Sequence, residues 1–205
     1  RNNLGTNLTT TEKATLVANL SPYTVASITP VVVDPDFIYL FLTTNFKFNS
    51  LATTKTKDTL VTEVTTALTN FNTTELTKFD AVFRHSQLLR TIGDVDSSIT
   101  SITVSPRIVK YFTPLLSEAK SYTLYFNNAF FHPHDGHNGA DGGIVSSTGF
   151  KISGNTNEQF FDDDGKGNLR TYFMSAGARS YTNIIAGTIN YTTGAVSIRT
   201  LTITS

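Results

Sequence analysis

The residues best suited to chemistry are the histidines of His132-Pro133-His134-Asp135-Gly136-His137, with Asp141 close behind; three of the chain's four histidines fall within these six positions. Neutral imidazoles ligate transition metals, and alternate residues of an extended segment can converge on one ion, with a further histidine or a carboxylate closing the shell. His132, His134, His137 and Asp141 are thus candidate ligands for a divalent metal, the one cofactor the sequence raises. Two plainer readings stand beside it: a polar, Gly-rich loop whose histidines hydrogen-bond locally, or one whose histidines contact another subunit. Because imidazole titrates near neutrality, such a contact could respond to pH.

A second candidate is Asp162-Asp163-Asp164-Gly165-Lys166-Gly167-Asn168. It fails as a calcium loop of the helix-loop-helix type. Counting from Asp162, the fifth position is Lys166, where an oxygen ligand is needed, and the twelfth is Phe173, where a bidentate Glu should sit. An acidic turn between Phe160-Phe161 and a strand at Leu169 is the better reading, with a non-standard cation site left open. Gly139-Ala140-Asp141-Gly142-Gly143 lacks the following helix that a phosphate-cradling loop requires and reads as a connection. Glycosylation patterns at Asn7, Asn72 and Asn190 are the chance product of a chain rich in Asn and Thr. No nucleophile elbow occurs, and Ser86 beside His85 reads more simply as a helix cap, so the chain reads as no enzyme.

The densest run of charge and aliphatic side chains is Phe79 to Ser98, FDAVFRHSQLLRTIGDVDSS. Arg90 and Asp94 stand four apart, as an intrahelical pair or as charges reserved for a partner. Arg84, Arg90, Asp94 and Asp96 are therefore the candidate cap or interface residues. Phe79, Phe83, Leu88, Leu89 and Ile92 are expected to anchor the segment to a core.

Composition limits what these groups can serve. The chain has 205 residues, with 16 Lys plus Arg against 16 Asp plus Glu, so no net field recruits nucleic acid or an anionic membrane. There is no cysteine, hence neither a disulfide framework nor a thiolate metal site. No apolar run approaches the ~20 residues a membrane-spanning helix needs, so no membrane insertion is expected. About a sixth of the residues are Thr, with Val, Ile, Phe and Tyr plentiful, which favours half-buried strands. The opening Arg-Asn-Asn-Leu-Gly, without an initiating Met, suggests a piece of a longer polypeptide.

The elements that must position these residues follow from periodicity. Thr9 to Leu20 predicts a capped helix with Ala14, Val17 and Leu20 on one face, ended by Pro22. Ile28 to Phe48 predicts two strands, or one with a jog, cut at Asp34-Pro35-Asp36. Ala52 to Asn72 places Leu60, Val61, Val64, Leu68 and Phe71 at helical spacing, with threonines toward solvent. A helix from Ser86, as cap, to Gly93, as stop, precedes a strand within Ser98 to Phe112. Further strands are expected at Ser121–Asn127, Ile144–Ile152, Leu169–Ser175, Ile184–Tyr191 and Val196–Ile203, the last two joined by a hairpin turn with Gly194 at positive φ. The predicted fold class is α+β: a two-layer strand-helix-helix-strand domain at 28–113, then a small all-β sheet or sandwich at 114–205. Residues 1–27 are expected to form a helical segment that ends a preceding domain.

The run FDAVFRHSQLLRTIGDVDSSITS, preceded by the Thr-rich helix and by ITPVVVDPDFIYL, resembles the larger baseplate wedge subunit of contractile-tailed bacteriophages, a relative of the J-type baseplate proteins. The resemblance continues through SSTGF (146–150), FDDDGKGNLR (161–170) and GTINYTTGAVSI (187–198). It implies a non-catalytic virion protein of the tail baseplate, assembled in the host cytoplasm. Its implied partners are copies of itself and other wedge and tail proteins, joined in a ring around the central hub that rearranges when the sheath contracts. A host- or carbohydrate-binding tail module is the alternative.

Overall fold

The computed structural model describes residues 8–25, 28–34, 36–78 and 81–205. The expectations placed on Asn7, Pro35 and Phe79 lie outside them. The chain divides into two compact units, Arg1–Arg107 and Ile108–Ser205.

In the first unit, helix α1 (Thr10–Leu20) starts at a capping box. The Thr9 hydroxyl accepts from the Glu12 amide at 3.2 Å and the Glu12 carboxylate accepts from the Thr9 amide at 2.7 Å, pairing donors that a helix start leaves open. A short 3₁₀ turn, Ser21–Tyr23, carries Pro22 and ends the helix. Of the expected face, Val17 is half-buried while Ala14 and Leu20 are exposed, and no α1 residue is buried.

The strand expected in the first half of 28–48 does not form. Only β1 (Tyr39–Phe48) enters a sheet. A strand is sustained by a ladder as well as by β-branched side chains. Ile28–Val33 has no pairing partner among the described residues, and Pro30 has no amide to offer. Val31 and Val33 consequently stand 75% and 77% exposed.

Helix α2 (Lys57–Phe71) is capped by Thr56 and buries Leu60, Val64 and Phe71, with Leu68 beside them; Val61 falls off this stripe and is exposed. Its threonines satisfy themselves. Thr62, Thr65, Thr66 and Thr69 each donate a hydroxyl to the carbonyl four residues back, at 2.7–2.9 Å. Thr73, Thr74 and Thr77 continue the pattern onto the carbonyls of Thr69, Asn70 and Thr73. Such back-bonding competes with the helical ladder. Here the backbone widens into a π-helical turn at Asn72–Leu76, with the Thr77 amide reaching Asn72 O.

Helix α3 (His85–Gly93) has its N-cap two residues earlier than its sequence suggests. Arg84 is the N-cap and gives no side-chain cap, while Arg84 O takes the amides of both Gln87 and Leu88. Ser86 is therefore inside the helix rather than its cap. Gly93 is the last helical residue and has no left-handed φ; the helix closes through the Asp94 amide on Arg90 O at 2.9 Å. Strand β2 (Ile99–Val109) pairs with β1. Leu42 and Phe46 from one strand and Ile99, Ile102 and Val104 from the other meet Val64, Phe71, Leu88 and Ile92 from the helices. This is the expected two-layer strand-helix-helix-strand arrangement.

The second unit is an antiparallel sheet of five strands in the order β3-β7-β6-β5-β4: β3 (Ala119–Tyr125), β4 (Phe160–Asp163), β5 (Asn168–Ser175), β6 (Ala178–Asn190) and β7 (Ala195–Thr202). Its core is Phe161, Leu169, Ala186, Ile189, Val196 and Ile198. At the β6–β7 hairpin the Asn190 carboxamide takes the amides of Thr192 and Thr193, and Gly194 sits at φ 69°, as its sequence predicts. Two expectations change. Ile144–Ile152 is no strand; its ladder pairing is limited to isolated bridges at Ser146, Phe150 and Ile152. The stretch read as an acidic turn contributes the edge strand β4, and the turn proper begins only at Asp164.

Candidate assembly surfaces

The four charges singled out on and around α3 divide into two kinds. Arg84 is exposed, and Arg90 and Asp94 form an ion pair at 3.4 Å with most of both side chains in water. Screening leaves such a pair little to contribute to folding, so both charges remain available to a partner. Asp96 is committed inside the unit. Its carboxylate accepts from the Ser98 amide at 2.9 Å and from Lys55 Nζ at 3.0 Å, while Lys55 also meets Glu63 at 2.8 Å. Hydrogen bonding from Ser98, and then from Lys55, holds the Asp96 carboxyl at about 2. Lys55 is raised in turn by Glu63 and Asp96.

The histidine loop belongs to the long connection between β3 and β4, and its organising group is a carboxylate that looked like part of a turn. Asp163 is 0% exposed. Its Oδ1 accepts from the amides of Ile144 and Val145 at 2.6 and 2.7 Å, and its Oδ2 from the Gly165 amide at 3.1 Å and the Tyr191 hydroxyl at 2.7 Å. Four donors leave no lone pair for a cation. Burial, followed by this bond to Asp163, pushes the Tyr191 hydroxyl well above the usual tyrosine range. A Cβ on Gly143 would run into the Asp163 carboxyl, and Gly143 also has φ 68°, so glycine is required there.

Of the candidate ligands, His132 is turned inward. Its ring stacks on Tyr191 at 3.8 Å between centroids and 3° between planes, and its Nε2 bonds Gly165 O at 2.7 Å. His134 and His137 meet edge to face, 5.3 Å apart, and His137 meets Phe131 in the same way at 5.4 Å. Asp141 lies exposed in a 3₁₀ turn, Gly139–Asp141. Among the described residues no group of three or more His, Cys, Asp or Glu side chains could hold a metal ion. The local hydrogen bonds and ring contacts of these histidines account for their positions.

Asp162, on the other face of β4, is 1% exposed and accepts from Arg170 Nε at 2.9 Å and the Tyr181 hydroxyl at 3.0 Å, with Arg179 Nε at 3.6 Å. Burial raises its pKa despite these partners. Arg170 lies over the Tyr181 ring at 4.3 Å and Arg179 over that of Tyr172 at 5.2 Å. Asp164 is pushed up by burial but more than offset by hydrogen bonds from the Asn168 side chain and the Lys166 and Asn168 amides, so its pKa is lowered. All three aspartates thus serve hydrogen bonds and ion pairs within the unit.

Two surfaces that sequence reasoning did not single out are apolar and uncovered among the described residues. One is a set of exposed side chains from α1 to β1 in sequence, Leu16, Leu20, Ile28, Val31, Val33 and Phe41. The other is the tip of the histidine loop, where Phe131 is 75% exposed. The β-branched run ITPVVV was the available signal for the first, since an apolar segment without a pairing partner becomes surface. No helix among the described residues is long and apolar enough to cross a membrane.

Residues 36–111 match the family of baseplate structural protein gp6, C-terminal domain III. The match takes in β1, α2, α3 and β2 entire, and stops short of the five-stranded sheet. That similarity is to a baseplate structural protein and covers less than half of the chain. No curated protein matches the chain.

Proposed function

We propose that this chain is a structural component of the baseplate wedge of a contractile phage tail, one that associates with its own copies and with other tail proteins around the central hub. The observation that carries the reading is the match over residues 36–111, which covers every strand and helix of the two-layer unit from Tyr39 to Val109. Two features of the surface support it. Arg84, Arg90 and Asp94 are exposed charges that the fold does not need, and the α1-to-β1 stretch leaves apolar side chains in water as an assembly protein would. On this reading the charges on α3 set orientation and partner choice, while the apolar stretch supplies buried area. The ring's change on sheath contraction would then work by repacking such interfaces, leaving both cores intact.

A carbohydrate-binding role has weaker support. Tyr172 and Tyr181 are the aromatic pair best placed on the sheet, and a guanidinium already covers one face of each ring.

The reading is tested by mixing the purified chain with isolated wedge proteins and following complexes by sedimentation velocity. Co-sedimentation in a fixed ratio is expected. A chain that sediments unchanged beside every wedge protein, and shows no self-association, would overturn it.

A further inference from the structure

A shallow groove of about 320 Å³ is lined jointly by α2, the π-helical turn that follows it, and α3. Its apolar lining is Ala67 and the buried Phe71; the other groups on it, Asn70, Thr74, Glu75, Gln87 and Thr91, are polar. These polar groups are of one kind. Thr74 donates its hydroxyl to Asn70 O at 2.9 Å and Thr91 donates to Gln87 O at 3.0 Å, so each hydroxyl oxygen has only lone pairs left to offer. Glu75 is a carboxylate and can only accept. The carboxamides of Asn70 and Gln87 are exposed and make no hydrogen bond among the described residues, so their oxygens are free to join the same set.

Glu75 is half-buried, yet its carboxylate has no ion pair or hydrogen bond among the described residues. By contrast Glu63, Asp96, Asp162 and Asp163 are each met by a cation or a hydroxyl. A charge drawn partly out of water without a partner costs stability. Cations close by in the sequence do not answer it. Arg90 is paired with Asp94, and Lys78, one turn beyond Glu75, makes no ion pair with it. The π-helical turn Asn72–Leu76 sets the place of this carboxylate, and such turns recur at functional sites.

We propose that this groove is a binding site for an arginine side chain presented by a protein partner. A guanidinium has only N–H donors, which matches a rim of acceptors around a carboxylate, and its planar fork can meet both oxygens of Glu75. The methylene stem finds its apolar cover in Ala67 and Phe71. An ammonium suits the rim less well, being a compact, strongly hydrated point charge. Small-molecule sites run from ~300 to 1,000 Å³ and enclose most of their ligand, whereas this groove is shallow and leaves the rest of an occupant to the surface around it. A phosphate group is disfavoured by the same rim, since it brings acceptors and negative charge. The site rests on these groups alone and is independent of the chain's place in a tail.

The test titrates the full chain with N-acetyl-arginine-N-methylamide and follows backbone amides and the Asn70 and Gln87 carboxamides by NMR. Saturating shifts confined to 67–75 and 87–91 are expected, with a dissociation constant of about 1–10 mM for this single side chain. The citrulline counterpart, with a neutral urea of the same shape, should bind at least about 10-fold more weakly. Glu75→Gln should weaken arginine binding as much, while its urea midpoint stays level or rises, because an unpaired charge is removed. A lower midpoint, or a variant that does not fold, would mean that the carboxylate is held within the fold and overturns the proposal. So do equal binding of citrulline, absence of shifts at the groove, or equal shifts beside the exposed carboxylates of Asp58 and Glu118. n-Propylguanidinium separates the sources of the head group. It is expected to bind no tighter than the arginine amide, and a 10-fold preference for it would make the groove a small-molecule site, against the proposal.

Discussion

Tyr191 donates its hydroxyl to the buried Oδ2 of Asp163 at 2.7 Å, and the face of the same ring carries His132. Through these contacts one carboxylate on an edge strand fixes both ends of a loop that would otherwise have no structure to hold it. The charge is affordable there because every lone pair it presents meets a donor.

Replacing Asp163 with Asn tests this directly. An amide offers one acceptor oxygen and turns an NH₂ toward groups that are themselves donors, so buried N–H or O–H groups lose their partner. Unfolding in urea should show a loss of about 2–4 kcal/mol, with faster hydrogen exchange across 130–145. A loss under about 1 kcal/mol would mean that the loop is held by other means.

Arg90→Ala makes the contrasting case. The pair with Asp94 is exposed, so monomer stability should change by less than about 0.5 kcal/mol while binding to wedge proteins weakens. Equal losses in both measurements would make the residue a structural one.

Leu88→Ala should cost about 2–5 kcal/mol, because Leu88 is wholly buried between α2 and the β1–β2 sheet and its removal leaves a cavity. The midpoint of urea unfolding reads this value, and a loss under about 1 kcal/mol would mean that the site collapses around the gap.

The two units should respond to acid with opposite signs at two carboxylates. Asp96 has its folded pKa depressed to about 2 from an ordinary 3.8, so the stability it contributes is complete above about pH 4 and is lost as pH falls toward 2. Asp162 is raised, so within the window just above 3.8 the folded state holds more protons than the unfolded chain, and its contribution weakens as pH rises. Protection factors at 94–99, exchange corrected for the intrinsic rate at each pH, should therefore fall between pH 4 and 2, and Asp96→Asn should flatten that dependence. An unchanged profile in the variant would assign the acid response to another group.

Much of the fold was legible where a pattern is local. The spacing of Leu60, Val64, Leu68 and Phe71 shows α2, and Thr192-Thr193-Gly194 shows the last hairpin, because both depend on near neighbours. The failures share a cause in partners distant along the chain. Asp162 and Asp163 looked like the start of a turn because three consecutive acids suggest solvent, yet they belong to β4 and the donors that bury them come from Ile144, Val145, Arg170, Tyr181 and Tyr191. Ile28–Val33 looked like a strand because its residues are β-branched, and no ladder reaches it among the described residues. At the histidine loop the cluster itself was visible. The inward turn of His132 was not, since it depends on Tyr191, nearly sixty residues on.

The baseplate assignment is tested most directly by immunogold labelling of the tailed particles produced by the source of this chain, with antibody raised against the purified protein. The account predicts gold at the baseplate end of the tail. Gold on the head, or particles that carry none while the chain is abundant in the lysate, would contradict it.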